Sequence, residues 1–486
     1  MRWRRYLLGV AWIASALTGC ALIHHNGTPY NEIAPEQINL ANDIHLARDG
    51  WPAARWWTRY HDAQLDALVD QALAGAPTIV IARTRVAQAK SDVELITAGS
   101  SLQMVALASL DRTHVSANGF LGPFARNEPE AGLTGPWYTE GIVGLGASLD
   151  IDIWGKQRAE IAASLGVHNA RLAETSAVEL EMSADVAQLY YGIQTTYQLI
   201  DLLNQSHQIA VFAVQAHEAR GTRGLEALTQ LEEARSRQLA IERQIVAAQA
   251  QIKELRESLR ALIGAGPDGL PAIEPVALPA SQAALPAMLS YELLARRPDL
   301  QAMRWYVQAS FDKIDAAKAA FYPSFDIKAF FGVNALHLAD LFTHASQQIN
   351  LIPGLSLPIF DGGRLNANLN GVREGSNLLI EQYNQAVLNA VRDVAQTGSR
   401  LQDLDEESAL QKQRIGMAAF TRDSVEAYYQ RGLTSQLAAL EARQPVIAEQ
   451  VALLTLNGQM LSQEIALTKA LGGGYRAEPP VELKPR

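Results

Sequence analysis

Apolar residues between Arg364 and about Tyr429 recur at steps of three, four and seven: Leu365, Leu369, Val372, Leu379, Tyr383, Val387, Val394 and Leu401. That spacing keeps one side of a helix apolar, and with no proline in the run it predicts one long helix. Arg431-Gly432-Leu433-Thr434-Ser435 then reads as a turn, and a second helical run from Gln436 to Leu471 stops at Gly472-Gly473-Gly474. The unit is a long helical hairpin, 363–471. A copy lies 208 positions earlier, where Arg223-Gly224-Leu225 matches Arg431-Gly432-Leu433, Glu233-Ala234-Arg235 matches Glu441-Ala442-Arg443, and Gly264 matches Gly472. The first hairpin therefore covers 156–263, and its returning helix carries Ile245, Ala248, Ile252, Leu255, Leu259 and Leu262 as a coiled-coil seam. A period this long is not that of a solenoid. The chain is one molecule of two similar halves.

Ahead of each hairpin the period falls to two. From Gly141 to Trp154, Val143, Leu145, Ala147, Leu149, Ile151 and Ile153 alternate with Gly144, Gly146, Ser148, Asp150 and Asp152. The second half alternates likewise over Ser324 to Val333 and again from Gly354 to Ile359. Strands apolar on one face and polar on the other follow. Leu102 to Val115 alternates less clearly and is placed by the duplication, giving β-hairpins at about 102–154 and 324–360. The tips Asn118 to Glu140 and Asn334 to Gln348 are long and polar, whereas the opposite strand ends run straight into long helices. Long loops on one side only are a habit of transmembrane barrels.

Four strands cannot close a barrel, because about eight is the practical minimum, and lipid tolerates no open edge. Other copies of the chain must complete the sheet; three would supply twelve strands. The helix from Lys156 to about Arg220 would be roughly 100 Å long at 1.5 Å per residue, about three bilayer cores, and it is studded with charge. It stands in water below the barrel. The predicted fold is mainly α with a membrane β-barrel portion: a trimeric α-helical barrel of coiled-coil hairpins continuous with a 12-stranded β-barrel, four strands per chain.

The N-terminus changes the picture of where this occurs. Arg2, Arg4 and Arg5 precede the apolar stretch Tyr6 to Ala16, so 1–19 reads as a secretory signal peptide. Leu17-Thr18-Gly19-Cys20 is similar to a bacterial lipobox, which makes Cys20, the one cysteine of 486 residues, the lipidated mature N-terminus. Ala21 after it, where an inner-membrane lipoprotein would carry Asp, favours the outer membrane. The organisation expected is a lipid-anchored segment 20–60, a first repeat 61–264, a linker 265–286, a second repeat 287–472 and a tail 473–486. In the anchored segment Trp51, Trp56 and Trp57 are expected to pack against the body. A helix from Asp62 to Ala74 and another from Pro77 to about Ala98 lead into the first strand. A net charge of −10 without a basic patch excludes nucleic acid as partner.

The pieces Ala295-Arg296-Arg297-Pro298-Asp299-Leu300, Ala320-Phe321-Tyr322-Pro323-Ser324, Pro358-Ile359-Phe360-Asp361-Gly362-Gly363-Arg364-Leu365 and Tyr429-Gln430-Arg431-Gly432-Leu433-Thr434-Ser435 resemble the signatures of TolC-like outer-membrane efflux factors. The NodT-type lipoprotein branch is the nearest pattern, and within it the multidrug-resistance factors. The resemblance implies a homotrimeric duct through outer-membrane lipid, docked below on a periplasmic adaptor and an inner-membrane pump. It places the periplasmic tip at the turns Arg223, Gly224, Leu225 and Arg431, Gly432, Leu433, Thr434, Ser435. There glycine reverses the chain and leucine offers an apolar anchor. It places the pore constriction at Tyr429 and Glu441; Ala438 departs from the acidic residue of some members. Three-fold symmetry would repeat Glu441 into a ring, which repels itself unless a cation such as Arg431 or Arg443 tethers it.

Catalytic patterns are lacking. Gly141-Ile142-Val143-Gly144-Leu145-Gly146 lies inside a strand and opens no helix, there is no HExxH, CxxC or GxSxG, and ten histidines are dispersed. No enzyme and no cofactor is expected. Two alternatives stand beside a drug duct. A heavy-metal cation duct finds no methionine cluster among seven methionines; a tether that merely spans the periplasm would need neither strands nor doubled tip turns.

Overall fold

The computed structural model describes residues 30–32, 51–131, 133–281, 296–477 and 479–482. The signal peptide, Cys20, most of the anchored segment, the end of the linker and the start of the second half at Tyr291 lie outside the described residues.

Two short helices, α1 (Ala63–Gly75) and α2 (Pro77–Gly99), lead into strand β1 (Gln103–His114). Asp62 starts α1 by accepting the N–H groups of Gln64 and Leu65, and Pro77 opens α2, where its missing N–H costs nothing. After the first long tip comes β2 (Trp137–Ile151), then α3 (Lys156–Thr222) and its returning partner α4 (Leu228–Leu262). The second half repeats the order with α5 (Pro298–Ala319), β3 (Ser324–Ala335), β4 (Gln347–Ser356) and α6 (Arg364–Gln430). Its returning helix is in two pieces, α7 (Gln436–Glu441) and α8 (Gln444–Ala470).

The expected continuous helix from Gln436 to Leu471 is thus corrected to two, broken at Ala442–Arg443 ahead of Pro445. The last strand is corrected too. It runs from Gln347 to Ser356, several residues earlier than the alternation at 354–359 suggested, because Gln347 to Ser356 is the stretch that pairs with β3. Pro358 has no N–H to give a ladder. At the first tip, β2 already begins at Trp137, inside the segment expected to be loop.

The four strands form one antiparallel sheet in the order β1-β2-β3-β4, so β1 and β4 are both open edges. Its tips carry short 3-10 turns and a two-residue ribbon, Asn127–Glu128 against Leu133–Thr134, and expose Phe120 and Phe342 among their polar residues.

α3 and α6 each contain 67 residues, about 100 Å of helix. Every end of the four hairpin helices is displaced by the same 208 positions. Both long helices are preceded by glycine in the left-handed region, Gly155 and Gly363. An aspartate caps each: Asp152 accepts the Arg158 N–H at 3.0 Å, and Asp361 accepts those of Leu365 at 2.8 Å and Gly363 at 3.0 Å. The Leu365 bond first, with that of Gly363, holds the Asp361 carboxyl below the usual carboxylate range.

Small residues set the packing between the halves. A Cβ on Gly166 of α3 would lie 2.9 Å from that of Ala309 on α5, so the two backbones meet at the closest approach helices allow. The main core gathers Trp56, Leu65, Ile79, Tyr190, Ile193, Leu259 and Ile465 around the upper middle of α3. Trp56 and Trp57 are buried there, as packing against the body required, and Trp51 lies under the Arg296 guanidinium.

Candidate functional site

The sheet has two unlike faces, because cross-strand partners share a face. One face carries Met104, Ala106, Ala108 and Leu110 of β1, Val143 to Ile151 at alternate positions of β2, and Phe325, Ile327, Ala329, Phe331 and Val333 of β3. From β4 it adds Ile349, Leu351, Pro353 and Leu355. Its polar positions lie toward the outer end, where Gln347 stands opposite Val333 and Arg112 opposite Thr139. Aromatic groups mark its ends: Trp137 packs edge-on against His114 at 4.8 Å beneath the Arg112 guanidinium, and Trp154 stacks on Tyr322 at 4.8 Å. Seventeen residues separate the two tryptophans, about 56 Å of strand. At barrel tilt that becomes roughly 40 Å, the thickness of a bilayer with its headgroups.

The other face carries the polar side chains Gln103, Ser109, Thr113, Ser148, Asn334, Gln348 and Asn350 among Val105, Leu107, Ile142, Phe330 and Ile352. It also sets carboxylates directly opposite one another, Asp111 against Glu140 at the outer end and Asp150 against Asp326 at the inner end. Like charges in that register oppose sheet pairing. Water and local partners relieve them: Thr113 Oγ1 donates to Asp111 at 3.0 Å, Asn334 Nδ2 to Glu140 at 2.9 Å, and Lys328 Nζ lies 3.5 Å from Asp326. Such a face suits a wet lumen and not lipid.

At the far end of the helices the two predicted tip turns have the same backbone. Leu225 N–H returns to the Arg220 carbonyl and Leu433 N–H to that of Tyr428, each at 2.9 Å, and Gly224 and Gly432 sit at φ 70° and 72°. This six-to-one closure needs a left-handed residue, which glycine supplies without strain. Leu225 and Leu433 are 74% and 69% exposed, so both leucines point into solvent at the end of the molecule. The turns differ in their caps. Ser435 accepts the Ala438 N–H at 3.2 Å, whereas Ala227, its counterpart, has no side chain to do so. In the first turn alone, His217 Nδ1 meets Glu226 at 2.8 Å.

Tyr429 and Glu441 flank the second turn, both partly exposed. Arg443 does not tether Glu441; its Nη2 lies 3.5 Å from Glu426 on α6. Among the described residues Glu441 has no ion-pair partner, and no cluster of metal-ligating side chains occurs.

A second charged assembly escaped sequence reasoning. Glu464 of α8 is 1% exposed; its Oε1 accepts from Arg59 Nη2 and, at 3.2 Å, from Tyr60 OH, while its Oε2 accepts from Ser281 Oγ at 2.7 Å. It joins the N-terminal segment, the inter-repeat linker and the returning helix. Burial first, then Glu464, raises the Tyr60 hydroxyl above its ordinary range, so it remains a donor. The signal was available: Leu454, Leu461, Glu464 and Thr468 fall at helical steps, a carboxylate in an apolar row. Ahead of this cluster, Tyr30 N–H donates to Asn377 Oδ1 at 3.3 Å and Asn384 Nδ2 to the Asn31 carbonyl at 3.1 Å, which sets Tyr30 and Asn31 against α6.

Toward the tip, α4 and α6 each leave an apolar row uncovered. α4 exposes Leu239 and Val246, and α6 exposes Leu410, Met417 and Phe420. Counted from the tip, Leu239 and Met417 lie at about 17 and 20 Å, Val246 and Leu410 at about 27 and 30 Å. The two rows match in level.

The model of the family described as "Outer membrane efflux protein" matches residues 68–265 and 289–473. The chain is 55% identical over 481 residues to the multidrug resistance outer membrane protein MdtP of Escherichia coli strain K12, covering 99% of each chain. It is 41% identical over 466 residues to MdtQ of Escherichia coli O157:H7, covering 95% of this chain and 96% of the relative. Among solved structures, the outer membrane protein VceC of Vibrio cholerae superposes with a TM-score of 0.76 at 30% identity, over 87% of this chain and 100% of that one. A sheet with a lipid face and a wet face, carried on paired 67-residue helices, agrees with these likenesses: the chain belongs to the outer membrane efflux protein family and is an outer-membrane channel protein.

Proposed function

We propose that three copies of this chain form the exit duct of a tripartite multidrug efflux system. The observation that carries this is the open four-stranded sheet, apolar on one face below its outer end, whose two free edges can be satisfied in lipid only by further copies. Three sheets make a 12-stranded barrel, and the level apolar rows of α4 and α6 meet in the tube below it. The duct is passive: energy and most of the choice of substrate belong to the inner-membrane pump, reached through a periplasmic adaptor. Drugs and other small toxic compounds are the cargo that the likeness to MdtP supports.

Cys20 is the lipid anchor in this reading. Ten residues separate it from Tyr30 and span at most about 35 Å. Tyr30 is fixed at Asn377, about 20 Å along α6 from the sheet end, so the anchor reaches the membrane. The turns at Arg223, Gly224, Leu225 and at Arg431, Gly432, Leu433, Thr434, Ser435 dock the adaptor through their exposed leucines. Glu441, with Tyr429 beside it, constricts the pore, because three unpaired carboxylates at one level narrow and charge it.

The test is to replace Leu225 and Leu433 together with Asp in cells that depend on this protein for drug resistance. Resistance should fall to the level of cells without the gene, with an unchanged amount of trimer in the outer membrane. Unchanged resistance at normal trimer level would remove the docking role, and wild-type protein that is monomeric in detergent would remove the barrel.

A further inference from the structure

The two hairpins agree at every helix end, yet the returning helix of the first is unbroken whereas that of the second divides at Ala442–Arg443. Pro445 is the physical reason. It has no N–H to donate to the carbonyl of Glu441, four residues earlier, and its ring crowds that carbonyl. At the break the Arg443 N–H turns to Leu440 O at 3.0 Å, an i to i−3 bond. The position that corresponds to Pro445 in α4 is Arg237, which leaves the ladder intact.

The two sides of the break are held unequally. Just above it, Gln444 Nε2 donates to the Ser206 carbonyl at 3.0 Å and Gln444 Oε1 accepts from Ser206 Oγ at 2.7 Å. One turn on, Glu449 accepts from Gln411 Nε2 and from Arg414 Nη2, each at 2.6 Å. Below it, α7 is six residues long, held by the Ser435 cap and by the buried side chains of Leu437 and Ala439. Beside the break lies a groove of about 690 Å³, bounded by Phe212 of α3, Arg422 of α6, Leu440 of α7 and Ile447 of α8.

We propose that Pro445 makes Ala442–Arg443 a hinge, about which α7 swings as a unit while α8 stays fixed, carrying Glu441 across the pore axis as Leu440 moves into the groove. This rests on reading Glu441 as the constriction. It makes Pro445 a positioning residue for that carboxylate, and it gives the second hairpin a mobility that the first lacks.

The experiment is hydrogen exchange by mass spectrometry on the full-length protein in detergent, with conductance in planar bilayers. Wild type, Pro445→Ala, Arg237→Pro and Glu441→Gln are compared. In wild type, the amides of 436–441 should exchange about tenfold faster than those of 228–233. Pro445→Ala should remove that difference and make openings rarer, and Arg237→Pro should bring 228–233 up to the rate of 436–441. If α7 and the first turns of α8 exchange together, or if Pro445→Ala leaves 436–441 unchanged, the hinge is overturned. If Glu441→Gln leaves conductance unchanged while Pro445→Ala still slows exchange, the hinge stands and the constriction belongs to another residue.

Discussion

Removing the Glu464 carboxylate should loosen two chain segments at once. The group is buried and receives Arg59 and Tyr60 from one stretch of sequence and Ser281 from another. Glu464→Ala deletes all three bonds. Taking one partner from a buried ion pair costs about 3–5 kcal/mol, and because the Arg59 side chain is 32% exposed and can rehydrate, the lower end, about 3 kcal/mol, is expected. Glu464→Gln keeps the shape and loses the charge; its amide can donate to Ser281, whose hydroxyl can turn to accept. One charge-assisted bond is weakened, which costs about 1.5 kcal/mol. At 1.4 kcal/mol per tenfold, the segment 51–60 should open roughly 100-fold more often in the alanine variant and 10-fold more often in the glutamine variant. Trypsin cleavage after Arg59 in detergent-extracted protein measures this, and exchange over 273–281 should rise in parallel. If Glu464→Ala leaves both segments protected as in wild type, or frees α8 alone, the joint does not hold them and the reasoning fails.

Two further outcomes follow from the same geometry. Val246→Cys combined with Leu410→Cys should yield two- and three-chain species on a non-reducing gel, because the rows of α4 and α6 match in level; membrane-inserted protein that never cross-links would show that they do not meet. Asp361→Ala should lower the melting temperature at neutral pH. The folded pKa of Asp361 is depressed, so its contribution is present above the unfolded value near 3.9 and is lost as pH falls below it. The gap between wild type and variant should therefore close in acid, and a gap that is independent of pH would assign the effect to something other than the charge.

Much of this molecule is legible in the chain because its helices are long and its ends are punctuated. Leu365 to Leu401 repeats the apolar step often enough to leave no rival period, and Gly224, Gly264, Gly432 and Gly472 mark four helix ends with the one residue that enters the left-handed region freely. Three things were harder to read. The break at Pro445 hid because Val446 and Ile447 continue the apolar row past it, so periodicity alone ran straight through. The position of β4 depends on pairing with β3: Ile349, Leu351 and Pro353 alternate as well as Leu355, Leu357 and Ile359 do, and only the partner strand decides. The Arg59–Glu464 contact joins residues 405 positions apart, a distance over which local pattern carries no information.

The equal lengths of α3 and α6 restrict how such a molecule can be resized. Each helix descends from the sheet to a turn, and both turns must reach one plane if they are to meet a single partner. Seven residues added to α6 alone would carry its turn about 10 Å beyond the other, and the returning helix would need the same seven to bring the chain back. A longer or shorter tube is therefore reached only by matched changes in four helices at the same level, and a lone insertion in any one of them shears the tip.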